Sequence, residues 1–314
     1  MLGVLQGFAT IAAVVALGWA LAHFGVLGTS GQLFLSRLAF YVASPALLLI
    51  VMGRTPISAI ISANLVASAV SVVVTVGVYL AIARVRWKPP LGESVIGSLC
   101  SAYVNAGNLG IPIALYVLGD ISLMAPTLLL QLLVITPISL ALLDADRSGR
   151  RPSLLTGFRS VTRNPITIAA LAGVLLSLVA PYINPDLLAA LLQPVQLVGN
   201  MAVPAMLIAF GISLRRGPKP GAAGSRAHVA TLVGLKLVFQ PIVAIAVGYA
   251  AVGLRGTALF AAAVTAALPT AQNVFTYANT YRRATVLARD AIFVSTFLSV
   301  PVILLIALLF RGTG

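Results

Sequence analysis

The sequence predicts an all-α integral membrane protein of ten transmembrane helices. They are expected to form two inverted five-helix repeats, with helices 4 and 9 broken and crossing. Three observations predict this. Hydrophobic residues make up 60% of the 314-residue chain and charged residues only 8%, whereas a soluble domain has about 45–50% and about 25%. Basic residues fall in alternate loops. Proline landmarks recur in the two halves at nearly constant offset.

About 20 apolar residues span a bilayer. Ten such stretches run at 4–22, 33–52, 58–83, 94–118, 122–143, 164–183, 187–213, 228–250, 255–279 and 286–310. No basic region precedes the first one, so span 1 reads as a retained helix rather than a signal peptide. The formal charge of +14 does not point to nucleic acid, because the basic residues form no single patch. Sixteen, including Arg37, Arg84, Arg86, Lys88, Arg147 and Arg163, fall on the side of loops 1–2, 3–4, 5–6, 7–8 and 9–10. Only Arg54, Arg255 and Arg311 fall on the other side, with both termini. Basic loops stay in the cytoplasm. Both termini are therefore expected on the non-cytoplasmic side, in a bacterial inner (plasma) membrane.

Pro45 and Pro204 lie 159 positions apart, Pro112 and Pro269 157, and Pro137 and Pro301 164. The pattern divides the chain into a first repeat at 1–143, a cytoplasmic connector at 144–163 and a second repeat at 164–314. A short surface helix could occupy Ser153 to Arg163. A unit with an odd number of spans ends on the opposite side from its start, so the second copy must be inverted. Inverted repeats with paired interrupted helices are a hallmark of secondary transporters.

Span 4 contains Asn105-Ala106-Gly107-Asn108-Leu109-Gly110-Ile111-Pro112, and span 9 contains Leu268-Pro269-Thr270-Ala271-Gln272-Asn273. Glycine and proline at this density break a helix. A broken span survives at membrane depth only inside protein or beside a water-filled cavity. The two breaks therefore predict a site. Asn105 and Asn108 offer donors and acceptors three residues apart. Gly110 permits close approach, and Pro112 opens a carbonyl one turn earlier. Thr265, Thr270, Gln272, Asn273 and Tyr277 come from the other break. Two half-helix N-termini pointing into one cavity would attract an anion.

Lys236 is the one basic residue in the middle of a span and is a functional candidate for that reason. Gln240-Pro241 follows one turn later. Gln131, Ser44 and Tyr41 are secondary candidates for the cavity wall. The six acidic residues fall in loops or at helix ends, which argues against carboxylate-mediated proton or sodium binding. Cys100 lies inside span 4 and can form no internal disulfide. His23 and His228 have no second ligand at metal spacing, so no metal is expected. The chain lacks a nucleotide-binding loop, a nucleophile elbow and paired carboxylates. Neither an enzyme, nor catalytic residues, nor a cofactor is expected.

On the residues 105–112 motif, Ala267–Phe275, Asn164-Pro165, and Lys236 with Pro241, the chain resembles the auxin efflux carrier family over its whole length. The resemblance implies a fold similar to the bile-acid sodium symporters. Helices 1, 2, 6 and 7 would form a scaffold able to homodimerise. Helices 3–5 and 8–10 would form a mobile transport domain of elevator type, crossing at Pro112 and Pro269. It also implies organic anions as substrates, auxin-like or dicarboxylate. The candidate substrate-binding set is Asn105, Asn108, Gly110, Pro112, Pro269, Gln272, Asn273, Lys236, Gln131 and Ser44. The expected partners are a small organic anion and the lipid bilayer, without nucleic acid. The alternative is a sodium-coupled organic anion symporter of the bile-acid type.

Overall fold

The computed structural model describes residues 2–56, 62–149, 164–216 and 226–310. Over these residues the backbone is helical, apart from short connections and one isolated antiparallel bridge. Helix α1 covers Leu2–His23, α2 Thr29–Arg54 and α3 Ala63–Arg86. The fourth span comes in two pieces, α4a at Leu91–Ala102 and α4b at Ala106–Leu118. Helix α5 covers Ile121–Ser148 and α6 Pro165–Tyr182. The seventh turns at residues 200–201 between α7a (Pro185–Gly199) and α7b (Ala202–Arg216). Helix α8 covers Arg226–Ala251. The ninth is again interrupted, into α9a (Gly256–Ala266) and α9b (Asn273–Tyr281), and α10 covers Thr285–Leu309.

Among the described residues, seven helices are by themselves long and apolar enough to cross a membrane, α7a and α7b being counted together. Shorter apolar helical stretches lie at Ala9–His23 in α1, at α4b and at α9a. Helix α5 continues to Ser148, so the first residues of the expected connector are helical. The expected surface helix at Ser153–Arg163 lies outside the described residues.

The helices pack in two groups. Helix α1 lies along α7b, and α2 lies against α6, α7a and α7b. Helix α3 packs on α4a, α5, α8 and α9a, and α10 packs on α4a, α8 and both pieces of α9. Helix α4b reaches across to α1 and α7b. Lipid tails are as apolar as the helices, so close backbone contact rather than hydrophobic transfer drives association. Glycines supply it in the first group. A Cβ on Gly18 would run into the Ile208 carbonyl, and one on Gly211 into the Val15 carbonyl. Gly173 does the same for α6, where a Cβ would lie 2.8 Å from the Leu49 carbonyl oxygen of α2.

In the second group a polar clamp holds one end. Asp146 accepts from Arg283 Nε at 2.7 Å and from the Gly92 amide at 3.0 Å, in the first turn of α4a. Negative charge is favourable there. The Tyr281 hydroxyl donates to Asp144 at 2.8 Å. The sequence suggested only a polar connector at these aspartates.

Four prolines share one local solution. Pro45, Pro112, Pro137 and Pro241 each follow a five-residue π-turn, at Ala39–Ala43, Ala106–Gly110, Gln131–Ile135 and Leu235–Phe239. Proline offers no N–H to the preceding turn and its ring crowds the carbonyl four residues back. Widening that turn by one residue relieves the crowding while the helix continues. Pro301 instead lies inside the regular helix α10. The expected mates Pro137 and Pro301 therefore differ in local structure.

Gly211→Ala would force α7b away from α1. Overpacking of this kind costs about 1–3 kcal/mol. A lowered unfolding temperature of the purified protein in detergent is the expected outcome, and an unchanged one would contradict the packing described.

Candidate functional site

Both interrupted spans stop inside the protein. Helix α4a ends at Ala102 and α9a at Ala266. The segments that follow cross antiparallel, with Val104 opposite Thr270. The Asn105 N–H donates to the Pro269 carbonyl at 2.8 Å, and the Ala271 N–H donates to the Tyr103 carbonyl at 3.1 Å. Each broken chain thus satisfies the other's backbone where water is scarce. Side chains complete the pairing. The Thr270 hydroxyl donates to the Cys100 carbonyl at 2.7 Å, and the Thr270 N–H donates to Ser295 Oγ at 3.2 Å. Gln131 Nε2 donates to the Val104 carbonyl at 2.9 Å.

The crossing differs from the expectation in one respect. Pro269 lies within it, but Pro112 lies inside α4b, eight residues beyond Val104. The π-turn at Ala106–Gly110 absorbs Pro112, so this proline does not mark the break. Gly110 has a packing role there, since a Cβ on it would lie 2.9 Å from Leu268 Cδ1.

Lys236 is 0% exposed. Its ammonium nitrogen donates to the Ala266 carbonyl at 2.6 Å and to Gln240 Oε1 at 2.7 Å. Gln240 Nε2 donates in turn to the Ala102 carbonyl at 3.0 Å. One cation and one amide therefore tie off the last residues of both α9a and α4a. These are helix C-termini, where partial negative charge accumulates. Lys236 does not snorkel to an interface.

On the other side of the crossing lie two N-termini. Asn105 precedes α4b with φ −77° and ψ 58°, an inverse γ-turn closed by the Ala106 N–H donating to the Val104 carbonyl at 2.8 Å. Its side-chain Oδ1 accepts from the Asn108 N–H at 3.3 Å. The residue is 3% exposed, and its Nδ2 has no hydrogen-bond partner among the described residues. A buried unpaired donor is costly and calls for an explanation.

A cavity of about 410 Å³ adjoins these N-termini. Helices α2 and α7b and the start of α6 form one wall, and α4b and α9b form the other, with one residue from α5. Of the candidate set, Ser44, Asn108, Gln272 and Asn273 line it, together with Tyr41 and Tyr277. Asn105, Gly110, Pro112, Pro269, Gln131 and Lys236 do not; they build the crossing beneath or beside it. The sequence reading missed Arg37, Gln32, Asn164, Ser213 and Thr276 in the lining. Arg37 carried a legible signal, because Arg37, Tyr41, Ser44 and Leu48 share one helical stripe of α2. Asn164 caps α6 through Oδ1, which accepts from the Ile166 N–H at 2.9 Å. Among the described lining residues no carboxylate occurs and Arg37 is the one formal charge. The site is thus electropositive, with helix N-termini, amides and hydroxyls as donors.

The histidines have ordinary structural roles. His228 stacks on Trp87 with ring centroids 3.9 Å apart, and its Nε2 lies 3.2 Å from the Tyr79 hydroxyl. His23 stacks on Trp19.

Lys236→Met would leave the Ala266 carbonyl and Gln240 Oε1 without a donor. Orphaned buried acceptors cost about 1–3 kcal/mol each. A clear drop in thermal unfolding temperature is expected, and full stability in that variant would show that the tie is dispensable.

Comparison with known proteins adds to this geometry. A family described as "Membrane transport protein" matches residues 4–152 and 150–307. The chain is 25% identical over 282 residues to "Putative malonate transporter" of Rhizobium meliloti (strain 1021), covering 86% of this chain and 84% of that protein. It is 32% identical over 141 residues to "Probable auxin efflux carrier component 3b" of Oryza sativa subsp. japonica, covering 45% and 24%. It is 26% identical over 152 residues to "Auxin efflux carrier component 1" of Arabidopsis thaliana, covering 48% and 24%. The match to these plant proteins thus spans about a quarter of their length.

Proposed function

The chain belongs to the membrane transport protein family, and from that premise we propose that it is a secondary carrier of small organic carboxylates. It is an integral membrane transporter and not an enzyme. The single observation that carries the carboxylate reading is the unpaired, buried Asn105 Nδ2, beside a cavity that two helix N-termini border. The substrate carboxylate would accept from the side chains of Asn108 and Asn273 and from the N–H groups of Gly107, Gln272 and Asn273. Asn105 Nδ2, which lies beneath the lining, would donate toward it through one water. The malonate named for one relative and the auxin named for others are both carboxylates, in keeping with this reading.

Carrier action would follow from the two packing groups. The glycine-packed group of α1, α2, α6 and α7 would be the scaffold, able to pair with a second copy. The group of α3, α4, α5, α8, α9 and α10 would move as one body, carrying the crossing with it. The pairing of interrupted helices 4 and 9 supports reading the chain as two inverted five-helix repeats with ten spans. Alternating access would come from movement of the second group against the first. The basic loops would be cytoplasmic and both termini outside.

Lys236 favours the uncoupled reading over the sodium-symporter alternative. Its side-chain nitrogen already donates to the C-terminal carbonyl end of α9a, and through Gln240 it reaches that of α4a. A sodium ion would have to displace hydrogen bonds that Lys236 and Gln240 already give to those carbonyls.

In proteoliposomes, a labelled dicarboxylate should exchange against unlabelled substrate across the membrane. Asn108→Ala should weaken its binding by about 1–2 kcal/mol, roughly 5- to 30-fold. Unaltered affinity and rate in that variant would sink the site assignment. Replacing sodium by choline should leave transport unchanged, and its abolition by choline would favour the symporter.

A further inference from the structure

We propose that Arg37 is a second carboxylate-binding station in the same cavity, and that it makes the carrier select dicarboxylates over monocarboxylates. The inference rests on the carboxylate-carrier reading and deepens it.

Arg37 is the ninth residue of α2, more than two turns inside the helix. A charge serving only to orient the chain could sit in the turn before Thr29, in water. Arg37 is itself exposed, but it lies on the cavity stripe, followed by Tyr41 and Ser44. The ion pairs among the described residues are Arg283 with Asp146 and Arg289 with Asp290. Neither involves Arg37, and no hydrogen bond to its guanidinium is found among the described residues. The same cavity presents no carboxylate to it.

A guanidinium left unpaired in a partly apolar cleft is matched in shape and charge to a carboxylate, which it grips with two parallel hydrogen bonds. Phe40 and Phe210 lie in the same lining, and Arg37 itself is exposed, so an anion entering the cavity can reach it. Gln32 and Ser36, five residues and one residue before Arg37 on α2, lie in the same lining and can complete the shell of donors.

The arrangement places two anion stations along one cavity. The inner station is the crossing, with Asn108, Gln272 and Asn273 at the N-termini of α4b and α9b. The outer station is Arg37. Along α2, Arg37 is seven residues from Ser44, about 10 Å, so the two stations are about two helical turns apart. A monocarboxylate can satisfy only one station. A dicarboxylate satisfies both, and its second charge is then compensated by the one formal cation in the lining. An apolar tail in place of the second carboxylate would leave that cation without a bidentate partner and forgo its charge-assisted contact.

The test compares substrates within the parent protein and the variant. Binding of malonate, succinate, glutarate and adipate is measured by thermal shift and calorimetry against monocarboxylates of the same chain lengths. The parent should bind at least one dicarboxylate about tenfold or more tightly than its monocarboxylate counterpart, the size of one charge-assisted bidentate contact. Arg37→Gln should lower dicarboxylate affinity to the monocarboxylate level while moving monocarboxylate affinity less than about twofold. Arg37→Lys should restore part of the preference, since it keeps the charge and loses the fork. A merely structural role would shift both classes alike. Preference retained in Arg37→Gln, or a parent that favours monocarboxylates, would overturn the proposal and leave the carrier reading standing. Folded parent protein that binds no carboxylate would overturn both.

Discussion

The structure depends on one backbone pairing. Two chains leave their helices inside the protein at Ala102 and Ala266, and each would strand several peptide groups without partners. The exchange of Asn105 N–H to Pro269 and Ala271 N–H to Tyr103 solves both problems at once. Neither break is tenable without the other, because a lone extended segment at this depth would face hydrocarbon or side chains. Thr270, Ser295, Gln131 and Gln240 then supply what two crossing segments cannot give each other. The crossing is therefore a small polar core inside an apolar protein.

This core separates charge. The C-terminal ends of α4a and α9a point to one side, where Gln240 and Lys236 hold their carbonyls. The N-terminal ends of α4b and α9b point to the other, toward the cavity. The lysine is not drawn to the substrate side; it compensates the dipole ends that face away from it. With the negative ends tied off, the positive ends remain available to the cavity. This polarity makes a buried site suited to an anion without a carboxylate, a metal or an exposed cation in the crossing itself.

The surroundings differ in packing chemistry. Helices α1, α2, α6 and α7 approach through glycines at Gly18, Gly173 and Gly211, giving rigid backbone contact. The other helices are joined by polar ties at the crossing and by the Asp146 clamp. The cavity lies between the two groups, beside a packed seam where α4b meets α1 and α7b. Two of the four proline-linked π-turns, in α2 and α4b, line that cavity. Local helix irregularity is thus concentrated where the two groups meet.

The sequence by itself determined the all-helical membrane class and the two breaks. Composition and the 20-residue apolar runs are properties of the chain alone, and a break needs only glycine, asparagine and proline in the wrong solvent. Ser44, Asn108, Gln272 and Asn273 were legible because polar side chains in apolar helices have few places to go. The tertiary structure alone decided what each polar residue meets. Periodicity could not show that Pro112 would be absorbed by a π-turn, because that depends on the following backbone. Nor could it show that Lys236 would face the helix C-termini and Arg37 the cavity. Both are single charges in apolar helices, and only the crossing of distant segments, more than 160 residues apart, sets which carbonyls or cavity each one reaches.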